Sequence, residues 1–402
     1  VYTDIEYVSA KFVAHEHHYA VYAAKGEGTV VRASASMKPE RLFNNSILTT
    51  SLMAGIYEMR YALNDPFNRI HDHFERYDAN ISKQILASWA IRVADKYLRP
   101  MYRYMIRAQM SAKLLHCDES PFVLSRAVKE DGNGTHRIKA YMWVYHCNAD
   151  DGSPPIYIYV YEPGRKTDYP YEHLKDYRGI LMTDGYQVYH TLEKREPDKF
   201  IVAGCWSHAR RKFADLVKST GKEASKGTIS EEAVKRIAAI YHVDNMYKDK
   251  SPQERLENRQ TNVRPLVNSY FTWLRSLDSV DKGSNTYKAI NYSLNQETFL
   301  RRFLENPTIP LDNNDAERSI RAFCVGKHAC HIIDSEAGAE SSAMLYSIME
   351  TVKANRLKPF EYMKYLLDQM LLHLDDDPTT YIADLAPWSD KLPDECRKKV
   401  NS

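Results

Sequence analysis

Apolar and polar positions change their period several times along this chain, and each change marks a different kind of element. Up to about residue 113 the apolar residues recur at helical spacing. "NDPFNRIHDHFERY" and "NISKQILASWAIRVADKYLRPMYRYM" each gather their apolar side chains on one helical face. Pro66 lies near the first turn of the first helix, Asn80 or Ser82 is placed to cap the second, and a short "DAN" turn separates them. Two helices joined this closely could be a helix-turn-helix that reads DNA, although an ordinary helical hairpin is the commoner reading of such a pair.

From residue 113 the pattern shortens. "KLLHCDES", "IKAYMWVYHC" and "PPIYIYVYE" are brief runs of aromatic and β-branched residues, divided by loops that hold Gly132, Gly134, Gly152 and Pro154. They predict three consecutive antiparallel strands. The second run is apolar on both faces, which suits a central strand. "YEHLKDYRG" predicts a short helix ending at Gly179, "GILMTD" a fourth strand, "KFIVAGC" a fifth, and "SHARRKFADLVKS" a helix. Three strands, helix, strand, helix, strand, helix is the order of a mixed α/β domain that opens with a meander. Residues 222–306 then return to a charged, helical pattern and read as a helical insertion before "LDNNDAERSIR". "SAMLYSIMETVKANRLKPFEYMKYLLDQMLLHL" predicts a helical tail divided at Pro359, followed by a polar segment. There are no internal repeats.

Composition changes this picture little. The 402 residues carry a net charge of +2, which leaves room for a local basic patch and says nothing more about partners. No apolar run is long enough for a membrane span, and no secretory signal precedes the helices. Six scattered cysteines do not form a disulfide framework and suit a reducing cytoplasm. The chain begins at Val1 rather than Met, which reads as a fragment.

The candidate chemistry lies with the acids. Asp118 ends the first predicted strand and Asp184 the fourth, at the edge where α/β sites form. If these strands are neighbours, two carboxylates stand side by side and repel, raising each other's pKa. A hard divalent cation relieves that repulsion. Glu317, at the start of the helix after the insertion, is the candidate third acid of a two-metal site. The alternative readings are plainer. A strand-end Asp is often a turn residue, Glu317 and Arg321 have the spacing of a helix-surface ion pair, and Asp312 and Asn313 suit helix caps. Arg210, Arg211 and Lys212 follow the fifth strand, and Arg318 and Arg321 flank Glu317. These bases either grip DNA phosphates or are solvated helix charge. Cys205-x-x-His208, with Cys324, His328, Cys330 and His331, outlines a rival zinc site, although paired C-x-x-C spacing is missing. The 29 tyrosines suit base stacking, and more simply the core and its rim.

"HCDES", "GILMTDGYQVY", "GCWSHARRKF" and "LDNNDAERSIRAF", in this order, together with "SAMLYSIMETVKANRLKPFEYMKYLL", resemble bacterial transposases of the insertion-sequence-sixty-six family over residues 40 to 390. The resemblance implies an RNase H-like catalytic domain with an Asp-Asp-Glu (DDE) triad, which maps by motif onto Asp118, Asp184 and Glu317. It also implies two Mg2+ or Mn2+ ions, cleavage and strand transfer of DNA, self-association on paired DNA ends, and accessory proteins of the same element. The expected organisation is a mainly helical, candidate DNA-binding region at 1–112, the first part of the RNase H-like core at 113–221, a helical insertion at 222–306, the third-acid helix at 307–335 and a C-terminal helical region at 336–402. Two departures from the family pattern stand out. Val21 and Ala24 occupy the places of paired zinc-binding cysteines, and "KHAC" (Lys327 to Cys330) replaces most of a basic run after the third motif. They set a second expectation beside the active cytoplasmic transposase: a decayed or truncated copy that binds DNA without chemistry. A metal-dependent nuclease without strand transfer is the third.

Overall fold

The structure is a computed structural model that describes residues 11–18, 21–23, 30–32, 41–44, 46–129, 133–148, 152–330 and 333–399. Strands β1 (Val21–Ala23) and β2 (Val30–Arg32) form an antiparallel pair. Helices α1 (Thr50–Tyr57), α2 (Phe67–Glu75), α3 (Lys83–Val93) and α4 (Arg99–Gln109) follow. Next come β3 (Leu114–Val128), β4 (Thr135–Cys147), β5 (Ile156–Glu162), α5 (Asp168–His173), β6 (Gly179–Thr183), α6 (Gln187–Arg195), β7 (Phe200–Gly204) and α7 (Trp206–Thr220). A helical stretch comprises α8 (Ile229–Asn245), α9 (Pro252–Asn258), α10 (Arg264–Arg275), α11 (Asn285–Asn295) and α12 (Glu297–Arg301). The chain closes with α13 (Asn314–Cys330), β8 (Ile333–Ser335), α14 (Glu336–Ala354) and α15 (Pro359–Leu372). Ala24, one of the two positions where the family pattern has a cysteine, lies outside the described residues, and only the backbone of Val21 is described.

The chain divides into two compact units. One comprises Val1–Tyr102, Val325–His331 and Met344–Ser402; the other comprises Arg103–Cys324 and Ile332–Ala343. The first is helical, apart from the β1–β2 pair. Ser82 caps α3 by accepting from the Ile85 N–H at 3.3 Å, and Pro66 stands just outside α2. Tyr57 donates from its buried hydroxyl to the Ala90 carbonyl at 2.9 Å, tying α1 to α3. No helix among the described residues is long and apolar enough to cross a membrane.

The second unit is a mixed α/β body built on one sheet with strand order β5-β4-β3-β6-β7. β3, β4 and β5 form the antiparallel meander, while β6 runs parallel to β3 and β7 parallel to β6. β4 is an interior strand between β5 and β3, and all eight residues from Ala140 to Cys147 are buried, as suits a strand apolar on both faces. Two details differ from the sequence expectation. β3 runs on through Pro121 to Val128. At Pro121 it pairs with β4 and lies between the stretches paired to β6 and β8, so a residue without an N–H is tolerated. The helix before β6 stops at His173, and Gly179 opens the strand instead of ending a helix. A Cβ at Gly179 would stand 2.8 Å from the Lys113 carbonyl, so close backbone approach explains the glycine.

Successive β3 residues point to opposite faces. Toward α13, Phe122 meets Phe323 edge-on at 5.7 Å. Toward α6, Trp143 of neighbouring β4 meets Tyr189 at 6.2 Å. The helical stretch α8–α12 shares its core with the sheet. Ile180, Met182, Ala203, Trp206 and Phe213 form one apolar cluster with Ile237, Val267, Phe271, Ile290 and Phe303. Trp206 anchors it by donating from Nε1 to the Leu300 carbonyl at 2.8 Å.

Candidate active site

The parallel register places the first two acids. Leu114 lies opposite Ile180, Leu115 opposite Leu181 and His116 opposite Met182, an offset of 66. Asp118 and Asp184 have the same offset, so each lies two residues past the last paired position of adjacent strands. Asp118 lies on the face of β3 toward α13, as His116, Ser120 and Phe122 do. Ser120 is 3.3 Å from Cys324 of α13.

Asp184 sits in the turn from β6 into α6. Its Oδ1 accepts the Tyr186 N–H at 3.0 Å, the local bond that favours aspartate at such turns. Its carbonyl accepts the Tyr292 hydroxyl of α11 at 2.6 Å. Gly185 holds φ +92, and a Cβ there would meet the Tyr292 oxygen at 2.9 Å and the Gln296 amide at 3.0 Å. The acid is thus braced from the helical stretch, through a turn only glycine can make without strain.

Glu317 lies in the first turn of α13. It does not pair with Arg321 but turns to α7, where Arg211 donates to its Oε1 at 2.8 Å and Oε2 at 2.6 Å. His208 Nδ1 stands 3.6 Å from Oε1. Burial holds His208 below the usual imidazole range, against the opposing pull of Asp184 and then Glu317.

The three acids share one electrostatic field. Burial first, then Asp184 and more weakly Glu317, together raise Asp118 to about 7 against the opposing Glu119 N–H and Arg211. Beside it, on the opposite face, Glu119 rises to about 8 through burial and then Asp184, against the pull of Arg165. Glu119 pairs with Arg165, whose guanidinium lies 4.0 Å from the Tyr186 ring centre. Among the described residues no three His, Cys, Asp or Glu side chains gather closely enough to hold a metal ion as they stand. The donor chemistry nevertheless fits a hard cation. Asp118, inside β3 rather than at its end as the sequence suggested, and Asp184, just past β6, offer oxygen only, repel one another, and meet the one or two carboxylates that magnesium takes beside water and phosphate. Arg211 now supplies the positive charge that Glu317 faces.

The remaining candidates are spread over nearby surfaces. Arg210, Arg211 and Lys212 are exposed on α7, and Lys212 lies 5.4 Å from the Tyr292 ring centre. Arg318 and Arg321 are exposed on α13, and Arg318 pairs with Asp315. Of the zinc candidates His331 lies outside the described residues, and the described ones form no metal-holding group. Cys205 is a core residue raised to about 12 by burial, and its sulfur accepts the Asn313 N–H at 3.2 Å. Many tyrosines, among them Tyr145, Tyr159, Tyr177 and Tyr189, are fully buried and fill the core.

Sequence reasoning passed over three residues that shape this site. Glu119 was hidden beside its neighbour, Tyr292 carried no signal inside a charged helical run, and Asn313 read as a helix cap.

Residues 45–341 match the family model described as "Transposase IS66 family". The chain is 29% identical to the uncharacterized protein y4qI of Sinorhizobium fredii over 92% of its length, covering 67% of that protein. It is 28% identical to y4hP of the same bacterium over 84% of its length, covering 61% of it. The chain therefore spans about two thirds of the length of these relatives. Among solved structures, a Drosophila P element transposase strand transfer complex is similar with a TM-score of 0.40 and 10% identity, over 76% of this chain and 92% of that one. A likeness that loose carries no argument.

Proposed function

The chain belongs to the IS66 transposase family, and on that premise we propose that Asp118, Asp184 and Glu317 form a metal-dependent centre that cleaves DNA strands and transfers them. One observation carries the proposal: the 66-residue offset of β3 and β6 sets Asp118 level with Asp184, and both Asp184 and Glu317 press on the Asp118 carboxyl. The antiparallel meander with two parallel strands on its far side supports an RNase H-like catalytic core. We extend the proposal to the organisation read from the sequence, with a DNA-binding region at 1–112 and a helical insertion at 222–306.

In this reading Asp118, Asp184 and Glu317 would hold two Mg2+ or Mn2+ ions. Such ions polarise a phosphoryl oxygen and lower the pKa of an attacking water or 3′-hydroxyl. The chain's own groups do the rest. Asp118 gives up the proton that its crowded pocket retains near neutral pH. Asp184 is kept in place by the Tyr186 N–H and the Tyr292 hydroxyl, and Glu317 would have to leave Arg211 to serve as a ligand. Arg210, Arg211, Lys212, Arg318 and Arg321 take the phosphate backbone, with contacts that weaken as salt rises. DNA ends and target are the substrates, and self-association on paired ends and accessory proteins of the element complete the machinery. Duplex DNA carrying the element's own end, incubated with the full chain and Mg2+, tests this. Strand nicking and joined products are expected, and an Asp118→Ala protein that still makes them rules the assignment out.

A second reading has an observation of its own. Arg211 donates to both Glu317 carboxylate oxygens and so occupies the third acid, as expected in a copy that binds DNA without chemistry. DNA binding with no Mg2+-dependent nicking at any metal concentration would favour it. Nicking without joined ends would instead mark a nuclease that lacks strand transfer.

A further inference from the structure

Asn313 immediately precedes α13 and is 1% exposed. An asparagine before a helix ordinarily turns its side chain back onto the N–H groups of its own first turn. This one does not. Its Oδ1 accepts from His116 Nδ1 at 2.7 Å, and its Nδ2 donates to the Cys117 carbonyl at 2.9 Å. Both partners belong to β3, and Cys117 is covalently joined to Asp118. The Asn313 N–H donates to Cys205 Sγ at 3.2 Å, at the junction of β7 and α7, and its carbonyl accepts the Glu317 N–H at 3.2 Å. Local turn bonding is left to Asp312, whose Oδ1 accepts the Asn314 N–H at 3.2 Å.

One buried residue therefore bonds to the strand that carries Asp118, to the helix that carries Glu317, and to the start of the helix that carries His208 and Arg211. The His116 ring that reaches it is stacked on His146 at 4.8 Å, and His146 on Tyr157 at 4.6 Å, so the partner is itself held. We propose that Asn313 is a positioning residue that sets the separation of Asp118 and Glu317 by bridging β3 to the N-terminus of α13. The inference rests on the proposed triad and adds a residue that touches neither DNA nor cation. Partners of this kind, when lost, cost roughly 10- to 100-fold in metal affinity or activity.

The test uses the full chain, Mn2+ and supercoiled plasmid DNA as the nicking probe. Asn313→Ala should lower the nicking rate roughly 10- to 100-fold, leave the DNA concentration for half-maximal rate within about twofold, and weaken Mn2+ binding measured by calorimetry. Tyr362→Phe removes another buried hydrogen bond, the one to the Leu385 carbonyl within the other unit, and should leave the rate per folded molecule unchanged. A second pair of variants decides the matter should Asn313→Ala fail to fold. His116→Asn keeps an N–H near the place of Nδ1 and should retain most nicking, whereas His116→Leu should lose it to the extent Asn313→Ala does. Folded Asn313→Ala that nicks and binds Mn2+ as the wild type does would overturn the inference, as would equal rates for the two His116 variants. Intact nicking by Asp118→Ala would instead overturn the triad itself, so the two failures are distinguishable.

Discussion

Asp118 and Glu119 are adjacent carboxylic acids on one strand, yet the pleat sends them into different worlds. Both are raised by burial, to about 7 and about 8. Toward α13, Asp118 meets two more acids, Asp184 and Glu317, while the nearest arginine is committed to Glu317. Toward α6, Glu119 is 6% exposed and finds its own arginine, Arg165, which stacks on Tyr186. A face that accumulates negative charge without a counter-charge of its own calls for a cation. On the other face Glu119 also feels Asp184, but there a guanidinium backed by an aromatic ring pairs with the acid. On the proposed reading, the same residue chemistry serves a metal site on one side of the sheet and a brace on the other.

The sharpest way to break this contrast is to remove each acid in turn. Asp118→Ala should abolish Mn2+-dependent nicking by roughly 10³-fold, the scale of losing a group that acts in the transition state, with DNA binding retained in a filter or gel assay. Glu119→Gln should cost no more than about tenfold in the same assay, since it loosens a brace and touches no reacting atom. Equal losses would erase the distinction between the faces.

Arg211→Ala sharpens the comparison from the other side. It frees Glu317, so Mn2+ affinity should rise, while DNA affinity falls and its salt dependence flattens by about one phosphate contact. Calorimetry and salt-titrated binding read the two effects separately, and weaker Mn2+ binding would contradict the exchange.

Acidity gives a smaller signal. The folded chain holds protons on Asp118 and Glu119 that the unfolded chain releases, so their contribution to stability is full below about pH 4 and is lost as pH rises toward 7 to 8. Without metal, the melting temperature should fall across that window, and Glu119→Gln should flatten the fall. Mn2+ affinity should rise with pH until about 7, because the Asp118 proton must leave first. The mildest change is Tyr292→Phe, which removes the hydroxyl from the Asp184 carbonyl. It should cost about 1 kcal/mol of stability, measured by denaturant unfolding.

The sheet was legible because its strands are rich in β-branched and aromatic residues divided by loops that hold glycine and proline. Local rules could also place Glu317 in the first turn of a helix. They could not say what that helix leans on. Glu317 and Arg321 have the spacing of an ion pair, but the partner is Arg211, 106 residues away in sequence. Asn313 obeys the rule for a cap in its position and breaks it in its bonding, which only tertiary structure reveals. β3 outran its expected end because a proline is acceptable where one side of the strand is unpaired. The stretch from 222 to 306 read as helical, yet its periodicity held no hint that α10 and α11 share a core with the sheet, or that Tyr292 reaches the Asp184 turn.

The most direct test is a crystal of the full chain soaked in Mn2+ and measured at the manganese absorption edge. The account predicts anomalous peaks within roughly 2 Å of carboxylate oxygens of Asp118 and Asp184, with Glu317 released from Arg211 and turned toward them. A clean map with no peak at these residues, or a peak there with Glu317 still held by Arg211 and facing away, would contradict it.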